Sequence, residues 1–270
     1  MMLNKRLFIL LVISFLLSCL NAVMVQDQLT KVFTLEHGET GIEYININNP
    51  DDKILQVKIS QADYIYNAKD DNWYLEPGKY NRSNAKWITV SQNVNLNAYE
   101  SISLPVKVSV PNDITLKGSY WSVIFIEDAS PAVVDDNVSN DNLIFAYRYA
   151  IQIVTNIKDT GEMDLGFKNF IIEKLDSTNT QIITFDLNNY GNLRVDALIK
   201  IDIFDDKTNF IGSFYAKNQK VYPGLDKKVS VPLIPLKTSE NGKLITYYAV
   251  LVADCGNSKI FGHQFSFSVK

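Results

Sequence analysis

Cysteine, histidine, helical pattern and basic excess are all scarce in this sequence, and each scarcity excludes something. There are two cysteines in 270 residues, and Cys19 lies in the N-terminal apolar leader. Once that leader is removed Cys255 is left alone, so no intramolecular disulfide can form. The folded part must be held by buried apolar surface, which ~245 residues in two domains can supply. Cys255 follows an apolar run beside Asp254-Gly256 and reads as a half-buried, unreactive thiol. The two histidines are His37, in Glu36-His37-Gly38-Glu39, and His263, in Phe261-Gly262-His263. Neither has cysteine or carboxylate partners at metal-ligand spacing. A serine–histidine–acid triad needs no sequence adjacency, but no nucleophile motif supports one, and there is no glycine-rich phosphate loop. The sequence therefore points away from an enzyme, and no catalytic, metal or cofactor residues are assigned. Its 26 basic residues against 30 acidic ones leave no basic stripe for nucleic acid.

Long apolar runs are equally scarce. The one present, Leu7 to Leu17 (LFILLVISFLL), follows Asn4-Lys5-Arg6. It is too short for a bilayer core of ~30 Å, which needs about 20 apolar residues, and it has the build of a secretory signal. Two processing points are open. Leu20-Asn21-Ala22 suits cleavage before Val23, while Leu16-Leu17-Ser18-Cys19 resembles a lipobox with Cys19 acylated. Residues 1–22 are assigned to the signal, and no membrane span is expected after its removal. The protein is expected to be exported to the periplasm or cell surface.

What remains is strands. Ser101 to Val110 alternates strictly, with Ile102, Leu104, Val106, Val108 and Val110 on one side. That is the period of a half-buried strand. Val195 to Ile203 and Val229 to Leu233 alternate in the same way, and Asn, Pro and Gly clusters punctuate the strands. The pattern also recurs. Gly41 to Asp52 (GIEYININNPDD) matches Gln181 to Asn192 (QIITFDLNNYGN), Leu96 to Val110 matches Val221 to Ile234, and Ser119 to Asp128 (SYWSVIFIED) matches Thr246 to Asp254 (TYYAVLVAD). Blocks recurring in one order indicate a tandem duplication. The expected fold is all-β: two tandem immunoglobulin-like β-sandwich domains, residues 23–157 and 158–270. Residues 67–84 are expected to be irregular.

Two features invite a ligand. Glu127, Asp128, Asp135, Asp136 and Asp141 form an acidic stretch, but without the alternate-residue spacing of a calcium loop. Aromatics are dense in the first half. A sugar needs ring faces and a few orienting polar groups, which makes Trp87, Tyr120, Trp121 and Arg148 candidate ligand-binding residues. Arg148, between Tyr147 and Tyr149, has the geometry to clamp a carboxylate.

Three segments carry a family resemblance: Lys86-Trp87-Ile88-Thr89-Val90, then Val110-Pro111-Asn112-Asp113, then Lys117-Gly118-Ser119-Tyr120-Trp121-Ser122-Val123-Ile124-Phe125. They resemble the N-terminal region of bacterial WxL-interacting cell-surface proteins. That resemblance implies a first domain binding peptidoglycan or another envelope glycan, and a second binding a surface or envelope protein. A second reading rests on the row Leu143, Phe145, Tyr147, Tyr149, Ile151 and Ile153. It lies just before the second domain and is similar to the donor strand of PapD-like periplasmic pilus chaperones. These hold a subunit by β-augmentation and grip its C-terminal carboxylate with a basic pair. No equivalent basic pair is recognisable in this sequence.

Overall fold

The computed structural model describes residues 22–69, 71–129, 147–175, 180–237, 239–240, 243–256 and 258–269. The signal core with Cys19, and Leu143 and Phe145 of the candidate strand, lie outside the described residues. The architecture is all-β: two tandem immunoglobulin-like sandwiches, each with its own core.

The first sandwich contains β1 (Met24–Val25), β2 (Thr30–Leu35), β3 (Thr40–Asn48), β4 (Leu55–Tyr66), β5 (Asn72–Leu75), β6 (Ile88–Thr89), β7 (Asn93–Leu96), β8 (Ser101–Ser109), β9 (Ser119–Asp128) and β10 (Arg148–Ile157). One sheet has the order β1-β3-β8-β6 and the other β2-β10-β9-β4-β5, with β7 also pairing β4. The second sandwich contains β11 (Leu165–Leu175), β12 (Thr180–Asn189), β13 (Val195–Phe204), β14 (Phe210–Tyr215), β15 (Gln219–Val221), β16 (Asp226–Pro232), β17 (Ser239–Glu240), β18 (Lys243–Leu244), β19 (Thr246–Asp254) and β20 (Ile260–Ser268). Its sheets are β11-β12-β16 and β14-β13-β19-β20, with β15 also on β13, while β17 and β18 form a separate small pair.

Alternation builds these layers directly. Ile45 and Ile47 on β3 and Leu104, Val106 and Val108 on β8 enter the first core, while the residues between them face outward. Ile183, Phe185 and Leu187 on β12 and the odd-numbered residues Val195 to Ile203 on β13 do the same in the second. Each large apolar side chain withdrawn from water contributes roughly 1.5–3 kcal/mol. Pro105 faces outward on a stretch of β8 that β6 does not reach, since β6 pairs only with Val108 and Lys107. Its missing N–H therefore costs no ladder bond there. Residues 67–84 are less irregular than expected. Asn72 to Leu75 turn back and pair with Asp63 to Tyr66, a hairpin whose exposed residues show no alternation.

The duplication is real in three dimensions. β3 and β12 lie beside β8 and β16 respectively, and β9 and β19 lie beside β4 and β13. The repeated asparagine pair has a specific role. Asn49 is fully buried, donating its amide to the carbonyls of Lys53, Leu96 and Asn97 and accepting from Asp51 N–H at 2.9 Å. Asn189 repeats this, donating to Leu193 and Val221 carbonyls at 2.9 Å and accepting from Gly191 N–H at 3.0 Å. In each sandwich one side chain serves the backbone groups of a buried turn, which cannot go unpaired.

The two sandwiches differ in their leading strand. The second keeps β11 on β12 throughout. The first divides its lead, with β1 antiparallel to β3 in one sheet and β2 parallel to β10 in the other.

Replacing Asn49 or Asn189 by alanine strands several buried carbonyls and is expected to cost about 2–4 kcal/mol. Urea unfolding checks this; the exposed control Asn95→Ala should stay within about 0.5 kcal/mol of wild type.

Candidate partner-binding edge and interdomain seam

The segment Gly118 to Trp121 joins the sandwiches. Trp121 is fully buried, on the outward face of the first sandwich, where its ring stacks on Tyr222 of the second with centroids 4.5 Å apart. Its indole N–H donates to the Tyr64 carbonyl at 2.7 Å. Tyr80 and Tyr66 close the cluster at 5.3 Å from Trp121 and 6.2 Å from Tyr222, with Val154 beneath. The Tyr66 hydroxyl donates to the Lys220 carbonyl and accepts from Tyr222 N–H. The Tyr222 hydroxyl donates to Gln152 Oε1 at 2.8 Å. Burial pushes both phenols up, Tyr222 to about 12 and Tyr66 further.

Backbone contacts finish the seam. Ser119 N–H donates to the Asn192 carbonyl at 2.7 Å, and Arg194 N–H donates to the Ser119 hydroxyl. Gly118 has a φ of +73°, and a methyl group there would overlap the Asn192 carbonyl. Glycine is required on both counts. Arg82 Nη1 donates to the carbonyls of Lys117 and Ser119.

The edge beside this seam is incomplete. β9 pairs with β10 from Arg148 to Asn156, but β2 covers the other side only from Gln152 onward. Among the described residues nothing pairs with the outer edge of Arg148 to Ile151. An unpaired strand edge is a template for another strand. A cleft of about 370 Å³ opens where this edge ends, lined by Tyr64, Tyr66 and Gln152 of the first sandwich and by Lys220, Tyr222 and Lys227 of the second.

No protein-family model matches the chain, and no curated protein does either. Several fimbrial chaperones are among the solved structures it resembles. The class 5 fimbriae chaperone CfaA aligns at 17% identity and TM-score 0.48, covering 90% of this chain and 98% of that one. A chaperone–tip adhesin complex of CFA/I fimbriae gives 16% identity and 0.49, with 90% and 97% covered. The Salmonella enterica SafB chaperone, solved with the SafA pilin, gives 12% and 0.43, with 93% and 98% covered. The resemblance to WxL-interacting proteins is corrected accordingly. The motif that carried it, Gly118-Ser119-Tyr120-Trp121, is the seam between the sandwiches.

The residues expected to form a glycan platform do not come together. Trp121 is sealed in the seam. Trp87 and Tyr120 pack on each other at 4.7 Å against the first core, on the opposite face of β9. Arg148 is committed within the chain, with Nε donating to Glu127 Oε2 at 2.7 Å and the guanidinium over Phe125 at 4.9 Å. Of the candidate donor row, Tyr147 is exposed and Tyr149 half-buried, while Ile151 and Ile153 are wholly inside the first core. Asp135, Asp136 and Asp141 lie outside the described residues. His37 Nε2 meets the Leu116 carbonyl at 3.0 Å, and His263 lies flat on Phe170 at 5.1 Å. Cys255 is half-buried, and burial reinforced by Asp254 pushes its thiol up to about 11. Lys220, Lys227, Gln152 and Tyr222 escaped sequence reading. They stand in three separate stretches of chain, and no sequence pattern links them.

The phenol of Tyr222 titrates near 12 when folded against an ordinary 10.0, so the unfolded chain loses its proton first as pH rises. The stabilisation is therefore full below pH 10 and lost as pH climbs through about 12. Tyr222→Phe should flatten the fall in unfolding free energy above pH 10, read by urea titration at stepped pH. Tyr222→Ala should cost about 3–5 kcal/mol through the cavity it leaves and shift tryptophan emission to the red.

Proposed function

We propose that this protein is an exported, non-enzymatic chaperone of the pilus-subunit type that holds an incomplete partner sandwich by lending it a strand. The observation that carries this reading is the free outer edge of Arg148 to Ile151, which runs straight into the interdomain cleft at Gln152. A subunit lacking an edge strand would extend its sheet along this edge through main-chain hydrogen bonds, with alternate side chains filling its groove. Tyr147 and the upstream Leu143 and Phe145 supply that apolar row. Ile151 and Ile153 instead hold the strand's lower half in place from inside the core. Lys220 and Lys227 are suited to receive a carboxylate at the end of the subunit chain, as point charges in a partly enclosed site.

In the similar structures the partners named are a tip adhesin and the SafA pilin. A partner of that kind, a pilin-like subunit, is the one proposed for this chain. The secretory-type N-terminus supports export to the periplasm. The working units are the first sandwich, residues 23–157, and the second, residues 158–270. No glycan is assigned to either.

Co-expression with a pilin-like subunit and size-exclusion chromatography provide the test. The wild type should elute as a one-to-one complex. The double variant Phe145→Glu/Tyr147→Glu should abolish the complex with the fold intact by circular dichroism. Lys227→Glu should weaken it about tenfold, or about 1.4 kcal/mol. A subunit captured equally by all three proteins would sink the proposal.

A further inference from the structure

A second break in a sheet edge lies in the first sandwich, away from β10. On the side of β4 opposite β9, β7 covers Leu55 to Lys58 and β5 covers Asp63 to Tyr66. Between them Ile59 N–H reaches the Gln92 carbonyl at 2.7 Å. By strand alternation Gln61 is the next residue to present its N–H and C=O on this side, and no partner meets them among the described residues. The cause is local. After Leu75 the chain swings away, and Gly78 and Tyr80 give their N–H groups to the buried Asp63 carboxylate at 3.1 and 2.6 Å. Pro77, the residue that would next face Gln61, has no N–H to give.

The gap opens into a cavity of about 510 Å³, in the size range of ligand sites. Its far wall includes β6, which pairs only with β8. Ile59, Ile88 and Val90 make it apolar, and the Gln61 side-chain oxygen is buried there without a partner. Its charged lining is Lys58 and Lys86, with no carboxylate among the lining residues. Lys58 is shared with Glu127 at 3.7 Å. Lys86 makes no ion pair among the described residues. A cationic lining on a chain of net charge −4 selects by sign.

We propose that this gap is a second docking site, taking an extended acidic peptide that pairs with the backbone of Gln61, seats an apolar side chain between Ile59 and Ile88, and sets a carboxylate at Lys86. It is separate from the β10 edge, so the two sites stand or fall independently.

The probe is a fluorescein-labelled acetyl-Val-Asp-Val-Glu-Val-Thr peptide, with a lysine-substituted counterpart as control, titrated into the mature full chain. The acidic peptide should bind saturably and weaken with salt. Lys86→Glu should reduce affinity about tenfold or more, and amide exchange around Gln61 should slow on binding. Phe145→Glu/Tyr147→Glu should bind the peptide as wild type does. No binding up to about 1 mM, equal binding of the lysine counterpart, unchanged affinity in Lys86→Glu, or loss in the β10 double variant would each overturn the assignment.

Discussion

The stack of Trp121 on Tyr222 is the contact on which the relation between the two sandwiches depends. Cys255 is the one cysteine among the described residues and is free, so no disulfide among them ties the halves together. The seam must be held by packing and by hydrogen bonds. Trp121 gives its N–H to Tyr64, and Tyr222 gives its hydroxyl to Gln152. Aromatic pairs at this separation contribute about 0.5–1.5 kcal/mol beyond the area they bury. The backbone bond from Ser119 to Asn192 then sets the approach, and only glycine at 118 permits it.

The seam and the free edge are one construction. Gln152, which accepts from Tyr222, is also the residue at which β2 begins to cover β10. Below it β10 is fixed on both sides and by Ile153 in the core. Above it the strand is held by β9 alone. The divided leading strand makes this possible, because β2 reaches β10 only after β1 has served the opposite sheet. The second sandwich keeps its lead undivided on β12.

Much of the fold was legible because burial writes itself into period. The alternation from Ser101 to Val110 and the recurrence of the paired asparagines announced strands, sandwiches and duplication. The aromatic platform misled for a related reason. Composition counts rings but not the faces they occupy, and neighbouring residues on a strand point to opposite sides. Tyr120 and Trp121 therefore serve different cores. The hairpin at Asn72 to Leu75 was missed because both of its faces are exposed, which leaves no alternation to read. The row from Leu143 to Ile153 sets a large apolar residue at every second position, yet its last two members are sealed inside the first core.

By itself the sequence determined the fold class, the duplication and the strand character of the segment from Ser119 to Asp128. All of these follow from local period and its recurrence. Tertiary structure alone decided which face of that segment meets the second sandwich, where β10 is left uncovered, and that Lys220, Lys227, Gln152 and Tyr222 share one cleft. The physical reason is that pairing register and sheet order are set by contacts between residues far apart in the chain. No single stretch carries them.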